Sequence, residues 1–142
     1  MTANSDLTKI LCAEMSAVET YNQAIETFHH DDDKLQLEIA RDCHVQRVDT
    51  LAGKLYEMGG SPTESSGVWG KFSRVLDAGG EKVTDKMAVA LLEEGEERGI
   101  QQYRDLLETT KAIPDIQNLA SQLLAQQEET QRIVKALQKK IG

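Results

Sequence analysis

Prolines and cysteines are scarce in this chain, with two of each among 142 residues. So few prolines leave long stretches free to run as uninterrupted helix. Cys12 and Cys43 are too few and too scattered for a disulfide framework, so a reducing cytoplasm is the expected compartment. Long apolar runs are missing, and no charged-then-apolar leader opens the chain, so neither a membrane span nor a secretory route is expected. Positive charge is also in short supply: 16 Lys and Arg face 24 Asp and Glu, for a formal net charge of −8. A nucleic-acid or anionic-membrane partner would need a basic face, and both are excluded on that ground. A Gly-rich phosphate loop, a nucleophile elbow and zinc-finger spacing are absent as well. What remains, 39% hydrophobic and 28% charged, suits one soluble helical domain over residues 1–142, long enough to bury a core.

Within that chain one pattern occurs twice, 82 residues apart (14 to 96). The first copy reads Leu7, Ile10, Glu14, Val18, Tyr21, Ile25, and the second reads Val89, Leu92, Glu96, Ile100, Tyr103, Leu107. Steps of three and four put each set on one helix face. Glu14 and Glu96 therefore stand in the middle of apolar stripes, where an isolated charge costs several kcal/mol and a partner is required.

The spacing predicts four long helices, at about Asp6–Phe28, Lys34–Met58, Lys82–Thr109 and Asp115–Lys140. Asp32 or Asp33 is the expected cap of the second, and Gly59-Gly60 its stop. Its inward stripe reads Leu37, His44, Val48, Leu51, Leu55, Met58, and that of the fourth reads Leu123, Thr130, Val134, Leu137, Ile141. A few residues join helices 1 and 2, and again 3 and 4, so each pair forms an antiparallel hairpin. Helices of roughly 24 residues are about 36 Å long, and only the long link from Gly59 to Glu81 can carry the chain back along that length. Val68–Ala78 in this link, with Trp69, Phe72, Val75 and Leu76 at helical spacing, predicts a short crossover helix. The third helix has a second apolar stripe, Val83, Met87, Ala90 and Leu91, which is expected to pack on that crossover or on another subunit.

Two helical hairpins, mid-core glutamates, tyrosines seven residues later and a long central connection together resemble the rubrerythrin/ferritin superfamily. The Gly59-Gly60-Ser61-Pro62 helix end, the aromatic crossover and Glu94-Gly95-Glu96 before Tyr103 look most like uncharacterised bacterial ferritin-like proteins of a domain-of-unknown-function family. The resemblance implies an all-α, ferritin-like four-helix bundle, and a homodimer as its assembly.

The resemblance also raises the question of a metal site. A ferritin-like di-iron centre takes one Glu from each of two helices and a Glu-x-x-His from each of the others. Glu14 and Glu96 match the single glutamates. On helix 2, however, Arg41 stands three residues before His44, and reading His44 as the acid position puts Arg47 where histidine should be. On helix 4, Glu128-x-x-Gln131 keeps an acid and loses the histidine. An inward Arg41 is expected to bridge to Glu14 or Glu96 by a bidentate pair, with Gln127 and Gln131 satisfying remaining lone pairs. The favoured expectation is therefore a buried polar layer left from a metal site, without cofactor. If a metal binds, iron or manganese would take Glu14, His44, Glu93 and Glu96, with Tyr21 and Tyr103 as outer donors.

Other features weigh less. His29-His30-Asp31-Asp32-Asp33 offers imidazoles and carboxylates, but it reads more simply as complementing two helix ends. Cys43 and His44 are adjacent on a helix and point about 100° apart, which rules against a nucleophile pair. Two function classes follow: a non-catalytic structural or interaction protein, which Arg41 and Gln131 favour, and a metal-binding oxidoreductase or metal-handling protein.

Overall fold

The computed structural model describes residues 3–60 and 84–142, and these form a four-helix bundle. The helices are α1 (Ala3–Thr27), α2 (Asp31–Glu57), α3 (Asp85–Thr109) and α4 (Pro114–Ile141). Each boundary lies within about three residues of its predicted place. The expected crossover helix over Val68–Ala78, and Val83 of the second stripe, lie outside the described residues. Of the rest of that stripe, Met87 and Ala90 are exposed and Leu91 is half-buried.

Local chemistry sets the helix ends. The turn between α1 and α2 is shorter than the sequence suggested, because Asp31, Asp32 and Asp33 all belong to the first turn of α2. There they complement the positive end of its dipole, while the residue before them, His30, makes no side-chain cap. At the other end of α2, Gly59 adopts φ 82°, a left-handed conformation that suits glycine. The Gly60 amide then turns back to the Leu55 carbonyl at 2.8 Å. Thr84 caps α3 by accepting the Met87 amide at 3.1 Å. Pro114 starts α4, where its missing N–H costs nothing. The Gln117 side chain closes that tight connection by donating to the Leu107 carbonyl and the Thr110 hydroxyl.

Side-chain contacts fix the topology. Glu14 meets His44 of α2 and Tyr103 of α3, and Tyr21 meets Glu96, so α1 runs antiparallel to α3. The α4 end residue Lys140 reaches Asp33 at the start of α2 at 2.7 Å, which makes α2 and α4 antiparallel too. Gly60, just past α2, lies against Asn4, whereas Asp85, at the start of α3, lies 3.5 Å from His29. The chain thus leaves α2 at one end of the bundle and enters α3 at the other.

The apolar interior falls into two blocks. One gathers Tyr21, Ala24, Phe28, Leu37, Val89, Leu92, Val134 and Leu137, and the other Leu7, Leu11, Leu51, Leu55, Tyr103, Leu106, Ile116 and Leu123. Between them the stripes of all four helices turn polar at one height.

Candidate functional site

That height holds Glu14 on α1, His44 and Arg47 on α2, Glu96 on α3, and Gln127 and Thr130 on α4, all buried. Each is there because its helix register puts it there. On α2 the inward line is Leu37, Ala40, His44, Arg47, Leu51, Leu55, and on α4 it is Ile116, Ala120, Leu123, Gln127, Thr130, Val134, Leu137. Both lines keep steps of three and four, so a pair spaced i, i+3 from each helix enters the layer.

The histidine is the hinge of the layer. His44 Nδ1 lies 2.5 Å from Glu14 Oε1, and Nε2 lies 2.7 Å from Glu96 Oε2. Carboxylates only accept, so both ring nitrogens donate and the ring is an imidazolium. Burial alone would lower the His44 pKa, but the Glu14 charge and hydrogen bond, joined by those of Glu96, raise it above its ordinary 6.5.

Arg47, completely buried, supplies the second cation. Its Nε donates to Glu14 Oε2 at 2.8 Å, and its Nη2 donates to Gln127 Oε1 at 2.8 Å. Nη2 also lies 2.9 Å from His44 Nδ1 and 3.2 Å from Nε2. Because both nitrogens already carry protons turned to carboxylates, these approaches are contacts against the ring rather than hydrogen bonds. Two cations are pressed together there, held by the acids around them. Arg47 Nη1 is buried without a hydrogen-bond partner among the described residues.

The tyrosines cross between the hairpins. Tyr21 donates to Glu96 and Tyr103 donates to Glu14, each at 2.5 Å. Burial, and then the facing glutamate, push both phenols well above 10. Glu96 also accepts from Thr130 at 2.7 Å and from the Gln127 amide at 3.0 Å. Donors from Tyr21, His44, Gln127 and Thr130 thus fill two acceptor positions on each Glu96 oxygen. Burial pushes the Glu14 carboxyl up, but His44, Arg47 and Tyr103 outweigh it and hold the pKa at about 2. The layer is electroneutral: two carboxylates, one imidazolium, one guanidinium.

Several residues named from the sequence stand elsewhere. Arg41 does not enter the layer; it lies at the α1–α2 surface, bonded to Asn22 at 3.1 Å and Asp42 at 3.2 Å. Its place is taken by Arg47, six residues further along α2 and on the inward line. Glu93 sits at the α3–α4 rim, 4.0 Å from Lys135, and Gln131 reaches Glu97 at 2.7 Å on that same outer side. Burial raises the Glu93 pKa, only partly opposed by Lys135. Glu128 is half-buried and off the inward line, so the α4 pair is Gln127-x-x-Thr130 rather than Glu128-x-x-Gln131. In the first turn of α2, Asp33 is buried and paired with Lys140.

The ligand-type side chains that converge are Glu14, His44 and Glu96. Among the described residues no group of three or more His, Cys, Asp or Glu is arranged to hold a metal ion. The donor set explains this: both nitrogens of His44 are committed to carboxylates, and a guanidinium occupies the side of Glu14 where a cation would lie. The residues do not fit a di-metal centre.

Gly99 is a small part of the site with a measurable consequence. A Cβ there would stand 2.3 Å from Gln127 Nε2 and 2.9 Å from its Cδ. Gln127 is bonded on both sides, to Arg47 and to Glu96, and cannot simply swing away. Gly99→Ala is therefore expected to lower stability by about 1–2 kcal/mol in chemical denaturation, the overlap outweighing the helix-propensity gain.

A family model described as a domain of unknown function (DUF2383) matches residues 2–109, and the chain belongs to that family. The matched stretch carries Glu14, Tyr21, His44, Arg47, Glu96 and Tyr103, while Gln127 and Thr130 lie beyond it. No curated protein and no solved structure is significantly similar to the chain.

Proposed function

We propose that this DUF2383 chain is a ferritin-like bundle with a retired metal site, working as a non-catalytic structural or interaction protein. The antiparallel hairpins, the end-to-end connection between α2 and α3, and the paired mid-bundle glutamates support the ferritin-like reading. One observation carries the functional half: Arg47 Nε on Glu14 at 2.8 Å, beside an imidazolium that bridges Glu14 to Glu96. A metal ion needs acids with free oxygens and a neutral imidazole nitrogen. Here the acids already have fixed protein cations as partners, and the two single charges of His44 and Arg47 together match the charge of one divalent ion. The layer then serves as a register device, since only one alignment of the four helices pairs every charge.

Metal titration tests this. Protein purified without chelator is expected to carry no stoichiometric iron or manganese, and adding either should leave the melting temperature unchanged. A saturable rise that disappears in Glu96→Ala would instead support the alternative, a metal-binding oxidoreductase or metal-handling protein, with Arg47 displaced from Glu14.

A further inference from the structure

A cavity of about 220 Å³ lies between α1 and α3, and its inner end reaches Glu14, Tyr21, His44 and Glu96. Its walls come from Ala13, Ala17 and Thr20 on one helix, and Leu91, Gly95 and Arg98 on the other, the arginine turned to Glu94 at 3.3 Å. Small residues on facing helices usually let backbones approach closely. Here they leave space larger than the roughly 150 Å³ apolar cavity that accommodates benzene or xenon. Gly95 borders open room, since a Cβ there would meet nothing within 4 Å.

The inner end decides what can enter. Its two carboxylates are balanced by His44 and Arg47, so a cation or an anion would shed its hydration and find no net counter-charge. Most of its acceptors are also used. Glu96 Oε1 takes Gln127 and Thr130, Glu96 Oε2 takes Tyr21 and His44, and Glu14 Oε2 takes Arg47 and Tyr103. Among the described residues Glu14 Oε1 accepts from His44 alone, which leaves one position for a donor. We infer that the cavity is a binding site for a small, uncharged, largely apolar molecule of about ring size, a single hydroxyl of which reaches Glu14 Oε1. This rests on the reading of the layer as closed and electroneutral.

Calorimetric titration of the full chain near neutral pH with benzene, phenol, benzoate and benzylammonium tests it. Phenol and benzene are expected to bind saturably, phenol the tighter, and the two ions not to bind. Gly95→Leu fills the space from a position with room for it, so it should melt no lower than wild type and weaken phenol at least about tenfold. Should that variant fold poorly, Ala17→Leu fills the same cavity from α1 and must give the same loss. Absence of saturable phenol and benzene binding overturns the inference, as does preferred binding of either ion or undiminished phenol binding in a folded filled variant. Manganese titration keeps the two readings separate. Metal uptake sinks the closed layer itself, whereas failure of phenol without metal uptake sinks only the ligand site.

Discussion

Arg47→Ala is expected to destabilise the protein by roughly 3–5 kcal/mol, the cost of removing one partner from a buried ion pair. The side chain is completely buried, donates to Glu14, Gln127 and Thr130, and stands nowhere near solvent. Among the described residues, truncation would leave Glu14 with His44 and Tyr103 only, and leave the Gln127 carbonyl oxygen without its donor. Arg41→Ala makes the natural control. Its partners Asn22 and Asp42 are at the surface, so its change should stay within about 0.5 kcal/mol. Equilibrium unfolding in urea measures both. Equal losses in the two variants, or an Arg47→Ala loss below about 1 kcal/mol, would contradict the assignment of Arg47 as the cation that closes the layer. Replacing both partners, as Glu14→Leu with Arg47→Met, should recover much of the loss, because no charge is then stranded.

The contrast between the two arginines also marks where sequence reasoning stops. The helices were legible because apolar residues recur at three and four, and the topology because two links are short and one is long. Glu14, Glu96, Tyr21 and Tyr103 were legible because the same stripe appears twice. Arg47 was not, although it lies on the 3–4 line between His44 and Leu51. A charged residue on a helix is ordinarily assigned to the flank, and α2 otherwise offers Val48 beside it as an apolar choice. Only the placement of Glu14 on the neighbouring helix makes the arginine the inward residue. Glu93 failed in the opposite sense. It lies one turn from Glu96, yet Val89 and Leu92 already fill the inward face at that height, and the carboxylate goes to the rim. On α4 the difference between Gln127-x-x-Thr130 and Glu128-x-x-Gln131 is one residue, a rotation of about 100°, and the stripe through Leu123, Thr130 and Val134 already points to the first.

The charge arrangement of the layer sets a pH window for stability. Glu14 has its pKa lowered from 4.5 to about 2 in the folded protein, so its contribution is fully present above 4.5 and is lost as pH falls toward 2. That gap corresponds to about 3 kcal/mol. His44 moves the other way. With its folded pKa raised above 6.5, its contribution is fully present below 6.5 and is lost as pH climbs through the folded value. Unfolding free energy is therefore expected to be greatest between about pH 4.5 and 6.5 and to fall on both sides. A further drop is expected above pH 10, where the unfolded chain can ionise the tyrosines and the buried Tyr21 and Tyr103 cannot. Two variants assign the limbs. In Glu14→Gln the acid-side loss should shrink, and in His44→Gln the loss between neutral and mildly alkaline pH should shrink, each at the cost of lower stability at the optimum. Denaturant midpoints measured across pH give the profile directly. A curve flat from pH 6 down to 2, or an acid limb unaltered in Glu14→Gln, would mean that Glu14 does not hold its charge against His44 and Arg47.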